Sequence, residues 1–260
     1  MIGLAIALTV VAAAAPAGTI SPRPAPPSAG AFPILELRQY TLHDGKRDTL
    51  IDLFEREFIE PQEVLGMKVI GTFRDLDRPN RFVWLRGFTD MDRRLTGLSA
   101  FYGGPAWQEH REAANATMVD SDNVLLLHAP TSAAAFKPSA ARPALGEKRP
   151  AGLIVATILY LRSSPAEAGQ IFGAKVRPRL EKAGVPVLAW FLPETAANNF
   201  PRLPVRAGER TLVWFARFKD EADRSAHAKQ VAAAQSDLAP LLERPPEVLR
   251  LAPTERSELR

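Results

Sequence analysis

Apolar side chains along this chain follow two spatial periods that succeed one another in a fixed order. Residues 34–41 form a β-rich run in which Leu35 and Leu37 alternate with Glu36 and Arg38, the two-residue period of a strand. His43-Asp44-Gly45-Lys46 turns the chain. Leu50, Leu53, Phe54 and Phe58 then recur at the i, i+3, i+4 spacing of one helix face, and Pro61 is expected to end that helix. Strands are predicted over 64–73 and 82–88, separated by a polar turn at 75–80. Asp90 is placed to cap a helix running to about Phe101. Gly103-Gly104-Pro105 breaks it, a second helical piece covers about 106–118, and residues 123–128 form the last strand.

The same order returns in the second half, with strands at 153–161, 186–192, 212–218 and 247–251 and helices at 165–182 and 220–234. Phe54, Gly66 and Phe73 match Phe172, Gly184 and Phe191 at one common separation. The strand Arg81-Phe-Val-Trp-Leu-Arg-Gly-Phe88 is similar to Thr211-Leu-Val-Trp-Phe-Ala-Arg-Phe218, aligned on Trp84 and Trp214. The separation changes only between elements, where insertions cost little. The order β-α-β-β-α-β is that of a ferredoxin-like unit, a four-stranded antiparallel sheet with both helices on one face. The fold class expected is α+β, with two tandem units burying their bare faces sheet against sheet. The implied organisation is a leader and Pro-rich spacer at 1–32, domains at 33–130 and 151–253, an Ala/Pro/Ser-rich linker at 131–150, and a polar tail at 254–260.

Composition narrows the function classes. The net charge is only +4, from 33 basic and 29 acidic residues, and no long run of like charge occurs, so nucleic acid is not an expected partner. The absence of cysteine excludes disulfides, thiolate metal sites and a cysteine nucleophile. The four histidines lack metal-ligand spacing. The sequence contains no P-loop, no dinucleotide-binding glycine motif after the first strand, and no nucleophile elbow. Residues 2–15 are apolar and uncharged, shorter than the roughly 20 residues of a membrane span, and are followed by small residues and prolines. They read as an export signal, cleaved or retained as an anchor, despite lacking a preceding Lys or Arg, and the expected location is the periplasm or outside the cell.

Three segments carry a family resemblance. Leu35-Glu-Leu-Arg-Gln-Tyr-Thr-Leu-His-Asp-Gly-Lys46 resembles the opening strand and turn of the NIPSNAP family. Phe82-Val-Trp-Leu-Arg-Gly-Phe88 and Pro105-Ala-Trp107 are similar to the same family. The likeness covers about 33–129 well and 150–252 more loosely. It implies the dimeric α/β-barrel superfamily, in which ferredoxin-like units pair in tandem or across subunits. That superfamily includes cofactor-free monooxygenases and haem-binding enzymes, while NIPSNAP members have no agreed chemistry.

Alternation along the strands sorts the candidate residues by face. Glu36, Arg38 and Tyr40 share one face of the first strand, and Trp84 and Arg86 share one face of the third. The aliphatic faces are expected to meet the helices, leaving Glu36, Arg38, Tyr40, Trp84 and Arg86 inside the barrel. There they would form a polar, aromatic-rimmed pocket for a small organic or anionic ligand, or else an ordinary ion-pair network. Trp107 and His110 add candidates on a helix, His110 as a base or a haem ligand if the protein is an enzyme rather than a cofactor-free binder. On the repeat, Glu36, Arg38, Tyr40 and Arg86 are matched with Ala156, Ile158, Tyr160 and Ala216, so the second half lacks the charges. Barrel closure within one chain or across a homo-oligomer is equally compatible with the pattern.

Overall fold

The computed structural model describes residues 32–137, 141–148 and 151–260. The apolar leader lies outside the described residues. Strand β1 (Ile34–Leu42) leads into a long helix made of α1 (Arg47–Leu53), a π-helical turn at Phe54–Phe58 and α2 (Ile59–Val64). Strands β2 (Lys68–Asp75) and β3 (Arg81–Phe88) follow, then α3 (Met91–Gly103), α4 (Pro105–Asn115), a short β4 (Met118–Asp120) and β5 (Val124–His128). The second half runs β6 (Leu153–Tyr160), α5 (Pro165–Ile171), a π turn at Phe172–Val176, α6 (Arg177–Lys182), β7 (Val187–Pro193) and β8 (Thr211–Phe218). It closes with α7 (Glu221–Ala226), α8 (Ala228–Ala234), a 3-10 turn at Ser236–Leu241 and β9 (Glu247–Pro253).

Pro61 does not end its helix. A helix-interior proline loses one hydrogen bond and crowds the carbonyl four residues back. Here the π turn changes the bonding pattern immediately before it, and the helix continues to Val64. The same device precedes Pro178 in the second half. Because the helix is longer than expected, β2 starts at Lys68 rather than at 64, after a turn in which Gly66 has φ +84°. Asp90 caps α3 as its sequence position indicated, its carboxylate accepting from Arg93 N at 2.6 Å.

The strands form one antiparallel sheet that closes on itself through the β1–β3 pairing, giving an eight-stranded barrel with β4 appended to β1. In the first half the order is β5-β1-β3-β2, and in the second β9-β6-β8-β7. The expected face-to-face packing of two sheets is therefore not what forms. The sheets join edge to edge, β2 to β9 and β5 to β7. Closure satisfies the edge backbone groups that a sandwich would leave unpaired.

The closed barrel reverses the expected faces. Leu35, Leu37, Val83 and Leu85 belong to the same apolar cluster as Ile154, Ala156, Ile158, Val213 and Phe215 of the other half, and these fill the interior. Tyr40, Phe82, Trp84 and Phe88 pack with Leu50, Phe54, Phe58, Leu98 and Phe101 of the helices. A small barrel is filled by side chains, so its interior takes the aliphatic face. The face bearing Glu36, Arg38 and Arg86 is turned outward, under the helices.

Two segments expected to be peripheral are built in. In the linker region, Ala134, Ala135 and Phe136 are buried, and Trp190 N donates to Ala134 O at 2.9 Å. The polar tail folds back across the first half: Thr254 and Ser257 are fully buried, and Arg256 donates to Glu55 O at 2.8 Å and pairs with Glu60. Among the described residues, no helix is long and apolar enough to cross a membrane.

Candidate ligand site in the first half

Glu36 sits at the centre of the first half, on β1, with no solvent exposure. Its register partner on β3 is Arg86. Oε2 accepts from Arg86 Nε at 3.0 Å, Arg86 Nη2 at 2.6 Å and Arg38 Nη1 at 2.9 Å. Oε1 accepts from Arg94 Nε at 2.8 Å and lies 2.7 Å from Arg94 Nη2. Arg86 also donates to Gln62 Oε1 at 2.9 Å, and Gln62 in turn donates to Phe58 O inside the π turn. Arg38, Arg86 and Arg94 are at most 1% exposed. Burial alone would raise the Glu36 carboxyl, but Arg86, Arg38 and Arg94 outweigh it and hold the group well below the usual carboxylate range.

Three guanidinium groups around one carboxylate leave two positive charges in excess, and the other polar partners, Gln62, Asn198 and Asn199, are neutral. Arg38 spends Nε on Tyr40 Oη at 2.9 Å and Nη1 on Glu36, and among the described residues no hydrogen-bond partner meets its Nη2. Burial pushes the Tyr40 hydroxyl up, with Arg38 partly opposing, so Tyr40 is a neutral donor near pH 7. Arg38 and Arg86 stack on the Trp84 ring at 5.5 and 4.9 Å.

Beside this cluster lies a cavity of about 230 Å³ between the helices and the outer face of the sheet. Tyr40, Trp84, Phe54, Phe58, Tyr102 and Trp107 line it. The π turn places both phenylalanines on this wall, and Phe54 stands 4.7 Å from the Trp84 ring. Gly103-Gly104 acts as the helix break, with Gly104 preceding Pro105 at the start of α4, which carries Trp107 to the rim.

The predicted residues thus divide. Tyr40, Trp84 and Trp107 line the cavity, and Glu36, Arg38 and Arg86 form the charged layer beside it. They lie outside the barrel, not within it as the sequence suggested. His110 does not join them: its Nε2 faces Glu57 Oε2 at 3.5 Å, and it is absent from the cavity wall. Its ring packs on Phe58 from outside the lining, with centroids 6.2 Å apart. The cavity is also smaller than the roughly 300 Å³ at which pockets for drug-sized ligands begin.

Sequence reasoning missed Arg94 and a whole wall. Residues 194–210, the loop between β7 and β8, reach across from the second half. Asn198 and Asn199 accept from Arg94 Nη1 at 3.0 and 2.7 Å, Asn199 donates to Met91 O at 2.6 Å, and Phe200 stacks on Tyr102 at 5.8 Å. Phe200, Arg202 and Leu203 complete the cavity lining. The only signal available was the unusual length of that loop.

The repeat alignment of the first strands also needs correction by one residue. Glu36 lies opposite Arg86 and Arg38 opposite Trp84, as Val155 lies opposite Ala216 and Thr157 opposite Trp214. The counterparts of Glu36, Arg38 and Tyr40 are therefore Val155, Thr157 and Leu159, not Ala156, Ile158 and Tyr160. A one-residue slip exchanges the two faces of a strand. The second half still lacks the charges.

Residues 35–133 match the family model NIPSNAP. No curated protein matches the chain. Among solved structures, a Lactobacillus acidophilus NCFM protein provisionally named a monooxygenase is 12% identical, covering 87% of this chain and 97% of its own, with a TM-score of 0.55. An anthrone oxidase-like protein is 11% identical over 90% of this chain and 96% of its own, with a TM-score of 0.53. These two share the fold. An uncharacterised NIPSNAP-like domain protein from Burkholderia xenovorans is 28% identical, covering 42% of this chain and 91% of its own, with a TM-score of 0.36. The arginine cluster therefore lies wholly within the segment, residues 35–133, that matches the NIPSNAP domain model.

Proposed function

We propose that the first half binds a small planar organic anion, an aromatic carboxylate or phenolate, in the cavity beside Arg38. The observation that carries this reading is the buried charge imbalance. Uncompensated buried charge costs several kcal/mol, and an anion held against Tyr40 and Trp84, the two cavity residues that touch Arg38, offsets it. The aromatic walls suit a flat ring, and the Tyr40 hydroxyl, already accepting from Arg38, has its own proton to donate. We also infer that the two halves are tandem copies of one βαββαβ unit, of which only the first keeps the ionisable groups.

The test uses 1-naphthoate as the probe, with calorimetry on the full chain. Naphthoate should bind and the neutral 1-naphthamide should bind weakly. Arg38→Met keeps an unbranched apolar stem and removes the guanidinium and its charge. It should weaken naphthoate about ten- to a hundredfold, the value of one or two charge-assisted hydrogen bonds. Equal affinity for acid and amide, or no effect of Arg38→Met, would overturn the proposal.

A second reading is a cofactor-free oxygenase, favoured by the same anion-stabilising cluster and by the names of the two fold neighbours. Such chemistry needs an ionised substrate. No carboxylate or imidazole is among the described residues lining the cavity, so nothing there serves as an ordinary base. Under this reading the substrate arrives already ionised, and oxygen uptake would be confined to acidic phenols and enols.

A further inference from the structure

The two seams between the halves of the barrel are short, three residue pairs at β2–β9 and two at β5–β7. Strands β1 and β3 pair along their whole length, whereas β5 and β7 share only Leu127↔Pro193 and His128↔Leu192. Beyond these pairs the loop takes over the edge of β5: Glu194 N donates to Leu126 O at 2.9 Å and Arg206 N to Val124 O at 2.8 Å. Between strand, loop and the start of α5 lies a cavity of about 750 Å³, well inside the range of small-molecule sites. Leu125, Leu127, Leu192 and Val205 give it apolar walls.

Its charged groups are unevenly matched. Arg206 is satisfied by Glu209, with Nε at 3.0 Å and Nη2 at 2.5 Å from Oε1. Glu194 has only 11% of its side chain exposed. Oε1 accepts from Ala196 N at 2.7 Å. Oε2 lies 4.0 Å from His128 Nδ1, too far for a hydrogen bond. Among the described residues this oxygen has no hydrogen-bond partner. One carboxylate oxygen of a residue on the cavity wall is thus left free to accept from a ligand, beside apolar side chains.

We propose that the seam cavity is a second ligand site, for an amine carried on an apolar skeleton. The ammonium sits on Glu194 Oε2 and the hydrocarbon lies along Leu125, Leu127 and Leu192. Arg206 and Glu209 offset each other, so Glu194 disfavours anions there and the two cavities select ligands of opposite charge. The site does not depend on the reading of the first cavity, although Asn198 belongs to both the seam wall and the Arg94 clamp.

The probe is 1-naphthylmethylamine, titrated calorimetrically into the full chain. One equivalent should bind. Glu194→Gln keeps an acceptor for Ala196 N and should weaken the amine at least tenfold while leaving naphthoate binding unchanged. Val205→Trp, which fills the cavity from the loop side, should block the amine whether or not Glu194→Gln folds well. Absence of amine binding, or amine affinity indifferent to both substitutions, overturns the proposal. Arg38→Met should move only the naphthoate titration, so failure of one site is distinguishable from failure of the other.

Discussion

Replacing Glu36 with Gln preserves shape and removes the one negative charge among three arginines. Each carboxylate oxygen is engaged, with contacts from Arg38, Arg86 and Arg94 between 2.6 and 3.0 Å and no solvent exposure. The glutamine amide offers one acceptor oxygen and turns donors toward guanidinium donors. Losing one partner of a buried ion pair costs about 3–5 kcal/mol, and here three cations lose theirs. For a chain of this size that corresponds to a fall in Tm of roughly 10 °C. Urea unfolding followed by tryptophan fluorescence gives the free energy, and calorimetry the midpoint. The pH dependence supplies a second check. The folded Glu36 carboxyl is held below its unfolded value of about 4.3, so its stabilisation is complete above that pH and lost as pH falls toward the folded value. The wild-type advantage over Glu36→Gln should shrink below about pH 4, by about 1.4 kcal/mol per pH unit. A loss under about 1 kcal/mol at pH 7, or a wild-type advantage constant from pH 5 to pH 3, would refute the claim that this carboxylate holds the cluster together.

Asn198→Ala with Asn199→Ala removes both acceptors on Arg94 Nη1 and should cost about 2–4 kcal/mol, with hydrogen exchange rising first in residues 194–210. Unchanged exchange there would show that the loop is held by other contacts. Gly87→Ala places a methyl 2.7 Å from Phe32 Cβ and 2.8 Å from Ile70 Cδ1, and should destabilise by about 1–3 kcal/mol in the same urea assay. Gly103→Ala, with nothing within 4 Å, is the neutral control.

The elements were largely legible because their periods are local. Asp90 declared a helix start, and Phe54 with Phe172 marked equivalent helix positions that both open π turns. Helix length was misread at Pro61, since sequence shows a proline but not the changed hydrogen bonding that accommodates it. Six of the seven candidate residues gather at one place, yet Arg94 on α3 and the 194–210 loop escaped notice. Neither lies near Glu36 in the chain, and long-range partners leave no periodic trace.

The amino-acid pattern alone determined the succession of strands and helices and the residue types on each strand face. It did not determine which face points inward. Every residue of β1 except Thr41 is buried, because the strand is covered by helices on one side and by the opposite barrel wall on the other. Alternation distinguishes two faces but cannot rank them when both exclude water. Closure made that choice: the narrow interior accepted only the aliphatic set, and the charged set went beneath the helices, where a cavity and a loop from the second half could meet it.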